Sequence, residues 1–272
     1  MYSQAVDIKS LGWRTDLMVR GLAGSLVAYA PDHVVVRTAG RSDFYWGNFI
    51  LIPADGAGRD AAGWLQVFAG EFPRARHVAI GIDQKTVPAT PSADLEALGL
   101  TAELNSVLTA TSLNESNAVA DGIEIRPLLG DSDWEQLLAL RLAVARAEGR
   151  ESAEHAGFLK DAVSEAAAVA ARQVESYFGA FRGGMLLCSL GVLVGTGGVA
   201  RFQDVETHPE HRRQGLAGRL VSQAGGNAVR RRGAVLLVIV ADPIGPAIGL
   251  YRKLGFKEVE TQVQMLMVPS PA

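Results

Sequence analysis

The sequence predicts an α/β chain with mixed sheets, the α+β kind in which parallel and antiparallel strands share a sheet flanked by helices. Three observations point there. Apolar runs separated by glycine pairs read as antiparallel hairpins. Two later helix-then-strand units need parallel crossovers. Finally, 272 residues, 48% hydrophobic and 20% charged, hold enough apolar mass for about two domains and exclude a disordered chain.

The clearest seam is the polar and small stretch TATSLNESNAVADG at 109–122, and we divide the sequence near residue 118, into 1–118 and 119–272. After the seam, 123–127 alternate as a short strand. Asp131 is expected to N-cap the next helix, with Asp133 and Glu135 in its first turn and Trp134, Leu137, Leu138, Leu140, Arg141 and Leu142 at helical spacing. Residues 154–172, alanine-rich and amphipathic, form a second helix. Three strands follow at 176–181, 185–194 and 200–207, turned at Gly183 and Gly184 and again across 195–198. From Gly215 the period becomes 3.6, with Leu216, Leu220, Val221, Ala224 and Ala228 on one face. That helix closes on Arg230, Arg231 and Arg232 before Gly233, the cations and glycine expected of a helix C-terminus. The continuous apolar run 234–240 reads as a strand buried on both faces. A short helix at 247–254 stops at Gly255, and 257–268 alternate as a last strand. The order is β-α-α-β-β-β-α-β-α-β.

Composition narrows the function. A net charge of −3 argues against a general polyanion binder, so no nucleic-acid partner is expected. The single cysteine, Cys188, forbids an intrachain disulfide and a cysteine-rich zinc site, and no metal is expected. Asp7, Lys9, Arg14 and Asp16 leave no apolar core for a secretory signal. The longest apolar stretch, 185–200, is broken by Gly191, Gly195, Gly197 and Gly198. A spanning helix needs about twenty residues. The expectation is therefore no membrane partner and a cytoplasmic location.

The chemistry-bearing segment is DVETHPEHRRQGLAGRL at 204–220. Gly215, Ala217 and Gly218 stand where a helix begins and its first amides have no intrahelical partner. Small side chains let an anion reach those amides, and the helix dipole favours it. Arg212 and Arg213 flank the loop with cations suited to a pyrophosphate. The pattern Arg-x-x-Gly-x-Ala carries little weight alone; its context carries much more. A strand, a His-Pro-Glu turn, the loop and the helix are followed by strand 234–240 and by AIGLYRKLGF at 247–256.

Together these features resemble the GNAT N-acetyltransferase superfamily, from near residue 119 to near residue 270. The resemblance implies the GNAT acyl-CoA N-acyltransferase fold, acetyl-CoA as co-substrate, and direct attack of a small-molecule or peptide amine on the thioester in a ternary complex. It implies that Val205 and Thr207 offer backbone groups to the pantetheine arm. Arg212, Arg213, Gln214, Gly215, Leu216, Ala217 and Gly218 would bind the pyrophosphate. Tyr251 would be the general acid for the leaving thiolate, since a phenol with pKa near 10 arrives protonated. Two departures stand out. The family often has an asparagine seven residues before the tyrosine, where this chain has Ile244. The usual base position on the central strand falls at Arg201 or Gln203, neither a base at pH 7. Asp204 and Glu206 lie on the opposite face in strict alternation, unless a bulge re-aims one. These departures support a second reading, a CoA-binding sensor without turnover.

Other residues have plainer readings. Arg230, Arg231 and Arg232 are taken as a solvated helix end rather than a site for the 3′-phosphate of CoA. His155 and His208 are taken as surface residues rather than metal ligands, and Cys188 as inert packing. Trp134 and Tyr177 are candidate aromatics of an acceptor pocket.

The first part of the chain echoes the second. LEALGLTAELNSVLTA at 95–110 parallels YRKLGFKEVETQVQML at 251–266: a helix end, a Leu-Gly-apolar stop and an alternating strand. Residues 77–83 parallel 236–242, and upstream 45–53 read as a strand and 64–72 as a helix. We read this part as a degenerate copy of the same fold, shortened at its start. Where the anion loop should be, ADGAGRDAAG at 54–63 has Arg59 but no Arg-x-x-Gly-x-Gly/Ala with small residues leading directly into a helix. Such a tandem resembles two-domain members of the superfamily in which one half is active.

Overall fold

The computed structural model describes residues 6–86, 90–116, 122–173 and 175–268. The chain divides into two compact units. The first holds the residues up to Val107, Val240–Gly245 and the stretch from Glu258; the second holds Leu108–Ile239 and Pro246–Lys257.

The first unit contains α1 (Leu11–Ala23), β1 (Leu26–Tyr29), β2 (Val34–Arg37), β3 (Phe49–Pro53), α2 (Ala61–Glu71), β4 (Val78–Asp83), α3 (Thr90–Ala97) and most of β5 (Thr101–Ala110). β1, β2 and β3 pair antiparallel, and β3 pairs parallel with β4 across the α2 crossover. β3 is FILIP, apolar on both faces as a covered strand requires. Its residues pack with Trp13, Trp64, Ile80 and Ile82 in the unit's core. The Trp13 indole donates to the Ile82 carbonyl at 2.8 Å. A Cβ at Gly81 would lie 2.6 Å from that ring, so only glycine lets β4 run beneath it. The expected strand at 45–53 is shorter: Tyr45–Gly47 is a 3₁₀ turn, held by Asn48 donating to the Arg41 and Phe44 carbonyls.

The second unit contains β6 (Ile123–Pro127), α4 (Gly130–Ala147), α5 (Ala153–Arg172), β7 (Tyr177–Arg182), β8 (Met185–Val194), β9 (Val199–Thr207), α6 (Leu216–Arg232), β10 (Leu236–Ala241) and α7 (Ile248–Lys253). Its strands run in the order β10-β9-β8-β7-β6, antiparallel except for the parallel β9–β10 pair. The start of α4 differs from expectation. Leu129 rather than Asp131 occupies the N-cap, and Asp133 accepts from the Leu129 amide at 2.7 Å. Arg126 pairs with the same carboxylate and lies 3.7 Å from the centroid of the Phe181 ring. Asp133 wins the amide because this cation holds its carboxylate in place.

The two units repeat one another in element order: helix, three antiparallel strands, a crossover helix, a parallel strand. The chain's last strand, β11 (Lys257–Met267), stands to α7 as β5 stands to α3. α1, β1 and β2 supply the start of the first copy, which the sequence left without elements. Where the sequence suggested one cut near residue 118, the units interleave. β11 pairs antiparallel with β4, from Val263 opposite Ile82 to Met267 opposite Val78, and buries Val263 and Met265 in the first unit's core. Among the described residues no helix is long and apolar enough to cross a membrane.

Candidate functional site

The site grows out of β9. Its parallel ladder with β10 pairs Val199, Ala200 and Arg201 with Leu236, Leu237 and Val238, and stops there while β9 runs on to Thr207. Backbone groups beyond Arg201 are thereby freed from that ladder. Val205 and Thr207, both half-buried, sit in this stretch.

A bulge interrupts the same stretch. Ser189 faces Glu206 and Gly191 faces Gln203, so one β8 residue opposes both Asp204 and Val205. Asp204 takes φ +47, a left-handed conformation that aspartate tolerates better than most residues. The anchor is Arg141 of α4, only 6% exposed, which donates to Asp204 Oδ2 at 2.6 Å. Its Nε lies 3.3 Å from Glu206 Oε2. The bulge thus turns both carboxylates toward one buried guanidinium. Burial pushes the Glu206 carboxyl up to about 7; Arg141 opposes the shift and Asp204 adds to it. Arg141 was missed as a site residue, although an arginine between Leu137, Leu140 and Val144 on an apolar face was a visible signal.

Beyond β9, the loop enters α6 through Arg213 at φ +63 and Gly215 at φ +77. Gly215 is the N-cap and contributes no capping side chain. The first intrahelical bond runs from the Arg219 amide to the Gly215 carbonyl at 3.1 Å, leaving the amides of Leu216, Ala217 and Gly218 ahead of it. Gly218 is buried, and a Cβ there would come within 3.0 Å of Ser116 Oγ and 3.1 Å of Leu250 Cδ1. Gln214 leans back on the Glu210 carbonyl at 3.5 Å. Arg212 and Arg213 are exposed, and Arg212 lies 3.3 Å from Glu148.

Tyr251 of α7 is buried, 4% exposed. Burial and its closeness to Cys188 push the phenol up to about 12. Cys188 is fully buried, accepts from Thr207 Oγ1 at 3.2 Å, and its thiol is pushed by burial up to about 12. β8, the end of β9 and α7 therefore meet around these three side chains.

Other expectations sort out as follows. Arg231 pairs with Glu175, while Arg232 donates to the Glu175 and Val192 carbonyls and to Gln173. Both are engaged with protein. Trp134 and Tyr177 pack edge to face, centroids 5.7 Å apart. Ile244 is 93% exposed. His155 stacks on Phe158. His208, however, has His211 and Glu210 beside it.

Residues 194–265 match the FR47-like protein family. Among curated proteins no sequence matches the chain. Among solved structures, a functionally unknown conserved protein from Staphylococcus epidermidis is similar with a TM-score of 0.65 and 11% identity, over 91% of this chain and 96% of that one. A GCN5-related N-acetyltransferase from Kribbella flavida gives 0.61 and 16%, over 96% and 97%. A tandem GNAT protein from the clavulanic acid biosynthesis pathway gives 0.55 and 15%, over 94% and 88%. At such identities the likeness is one of fold. The chain has the GNAT fold, in the mixed-sheet α/β form. Its likeness to the tandem GNAT protein runs through both units, in keeping with the repeated topology.

Proposed function

We propose that the second unit is an N-acyltransferase that takes an acetyl group from acetyl-CoA to an amine. The observation that carries this is one strand, β9, whose parallel ladder stops at Arg201 and whose far end leads into the uncapped N-terminus of α6. The amides at Leu216, Ala217 and Gly218, with Arg212, Arg213 and Gln214 beside them, suit the pyrophosphate. Val205 and Thr207 offer unladdered backbone groups to the pantetheine arm.

The chemistry then needs two proton movements. The amine nitrogen attacks the thioester carbonyl and the C–S bond breaks. Tyr251 gives its phenolic proton to the departing thiolate, a role suited to a phenol that stays protonated at neutral pH. Glu206 is the carboxylate placed to take the proton the amine loses, with Arg141 fixing its position. It replaces the base that neither Arg201 nor Gln203 supplies.

Calorimetry on the whole chain tests the ligand. Acetyl-CoA is expected to bind at least tenfold more tightly than ATP or NAD; equal or tighter binding of either would overturn the assignment. The second reading, a CoA-binding sensor, is favoured by one observation: buried Arg201 occupies the position where the family often keeps a base. It shares the calorimetric result and parts from the first reading at turnover.

A further inference from the structure

We propose that His208, Glu210 and His211 form a binding site for one divalent transition-metal ion, with Zn²⁺ the best match, in the turn that precedes the anion loop. The proposal stands independently of the acyltransfer reading. The segment reads His-Pro-Glu-His, and Pro209 to His211 forms a 3₁₀ turn closed by the His211 amide on the His208 carbonyl at 2.8 Å. The turn folds the chain back so that His208, at its N-cap, and His211, at its end, come close. The two imidazole rings accordingly lie 5.5 Å apart, centroid to centroid.

One ring nitrogen from each histidine and one Glu210 carboxylate oxygen lie within 4.8 Å of one another. Ligand atoms about 2.0–2.2 Å from a tetrahedral zinc are roughly 3.3–3.6 Å apart. Side-chain rotation closes that difference, since Glu210 is exposed and the backbone turn already aligns the rings. Two imidazoles and a carboxylate are a borderline donor set that suits zinc and leaves a fourth position for water. A separate observation points the same way: His208 Nδ1 is buried and has no hydrogen-bond partner among the described residues. A buried nitrogen in that state costs free energy that coordination to an ion would recover. Arg212, next after His211, lies 3.3 Å from Glu148, a carboxylate it shares with Arg150.

The test uses the untagged full chain, stripped with a chelator and titrated with Zn²⁺ by calorimetry. Uptake of one ion per chain is expected. His208→Ala and His211→Ala should each weaken binding at least tenfold, Glu210→Gln less, and His155→Ala not at all. Metal-free melting temperatures show whether each variant is folded, and His211→Ala decides alone if His208→Ala melts lower. No uptake by the wild type, or uptake unchanged in His211→Ala, would overturn the site.

Discussion

Arg141 carries more structure than its place in a helix suggests. A guanidinium this deeply buried must be paired, and here one cation serves Asp204 and Glu206 together. Without it, two carboxylates would face each other across a left-handed bulge. Cys188 makes an opposite case: a nucleophile by type that its surroundings silence. With its thiol near 12, only about one molecule in ten thousand is thiolate at pH 8. A disulfide exchange reagent at pH 8 should therefore leave the folded chain unmodified and react with one thiol after denaturation. Rapid reaction of the folded chain would contradict the burial. That Tyr251 sits on a short helix and Gly215 at a helix start was legible in the sequence, because each belongs to a local motif at a helix end. The pairing of Arg141 with Asp204 and Glu206, and the place of the bulge, were not, because they depend on elements far apart in the chain.

Among the elements, the crossover helices of the two units begin in contrasting ways. α2 is sealed: Asp60 accepts from the Gly63 amide at 2.7 Å, and Asp55 from the Ala57 amide at 3.0 Å. Arg59 is turned to Asp32 at 2.9 Å. The amides that would meet a phosphate are met by carboxylates of the chain itself. α6 starts at a bare glycine instead. Gly215→Asp should import the sealed arrangement, since aspartate both caps helices and tolerates the left-handed region. Acetyl-CoA affinity should fall about a hundredfold, roughly 2.7 kcal/mol, with a small loss of melting temperature because the side chain enters at φ +77. Unchanged affinity would take the anion away from this loop. The second unit's hairpins and both crossover helices were readable from glycine pairs and period. The cap of α4 was misread because Arg126 draws Asp133, not Asp131, to the helix entrance.

In the molecule as a whole, one fold is written twice, and the second writing has a crossover helix that starts at a bare glycine and a buried phenol at Tyr251. The parallel windows at 95–110 and 251–266 were legible because a Leu-Gly stop and strand alternation are local signals. Which sheet the last strand joins was not. β11 has the same pattern whichever partner it takes, and its pairing with β4 joins residues from opposite ends of the chain. The most direct measurement is CoA thiol released from acetyl-CoA by the full chain across a panel of amines, with Tyr251→Phe assayed beside the wild type. Amine-dependent release is expected, lowered in kcat by about a hundredfold in Tyr251→Phe with acetyl-CoA affinity unchanged. Tight acetyl-CoA binding with no release on any amine, or full turnover by Tyr251→Phe, would contradict it.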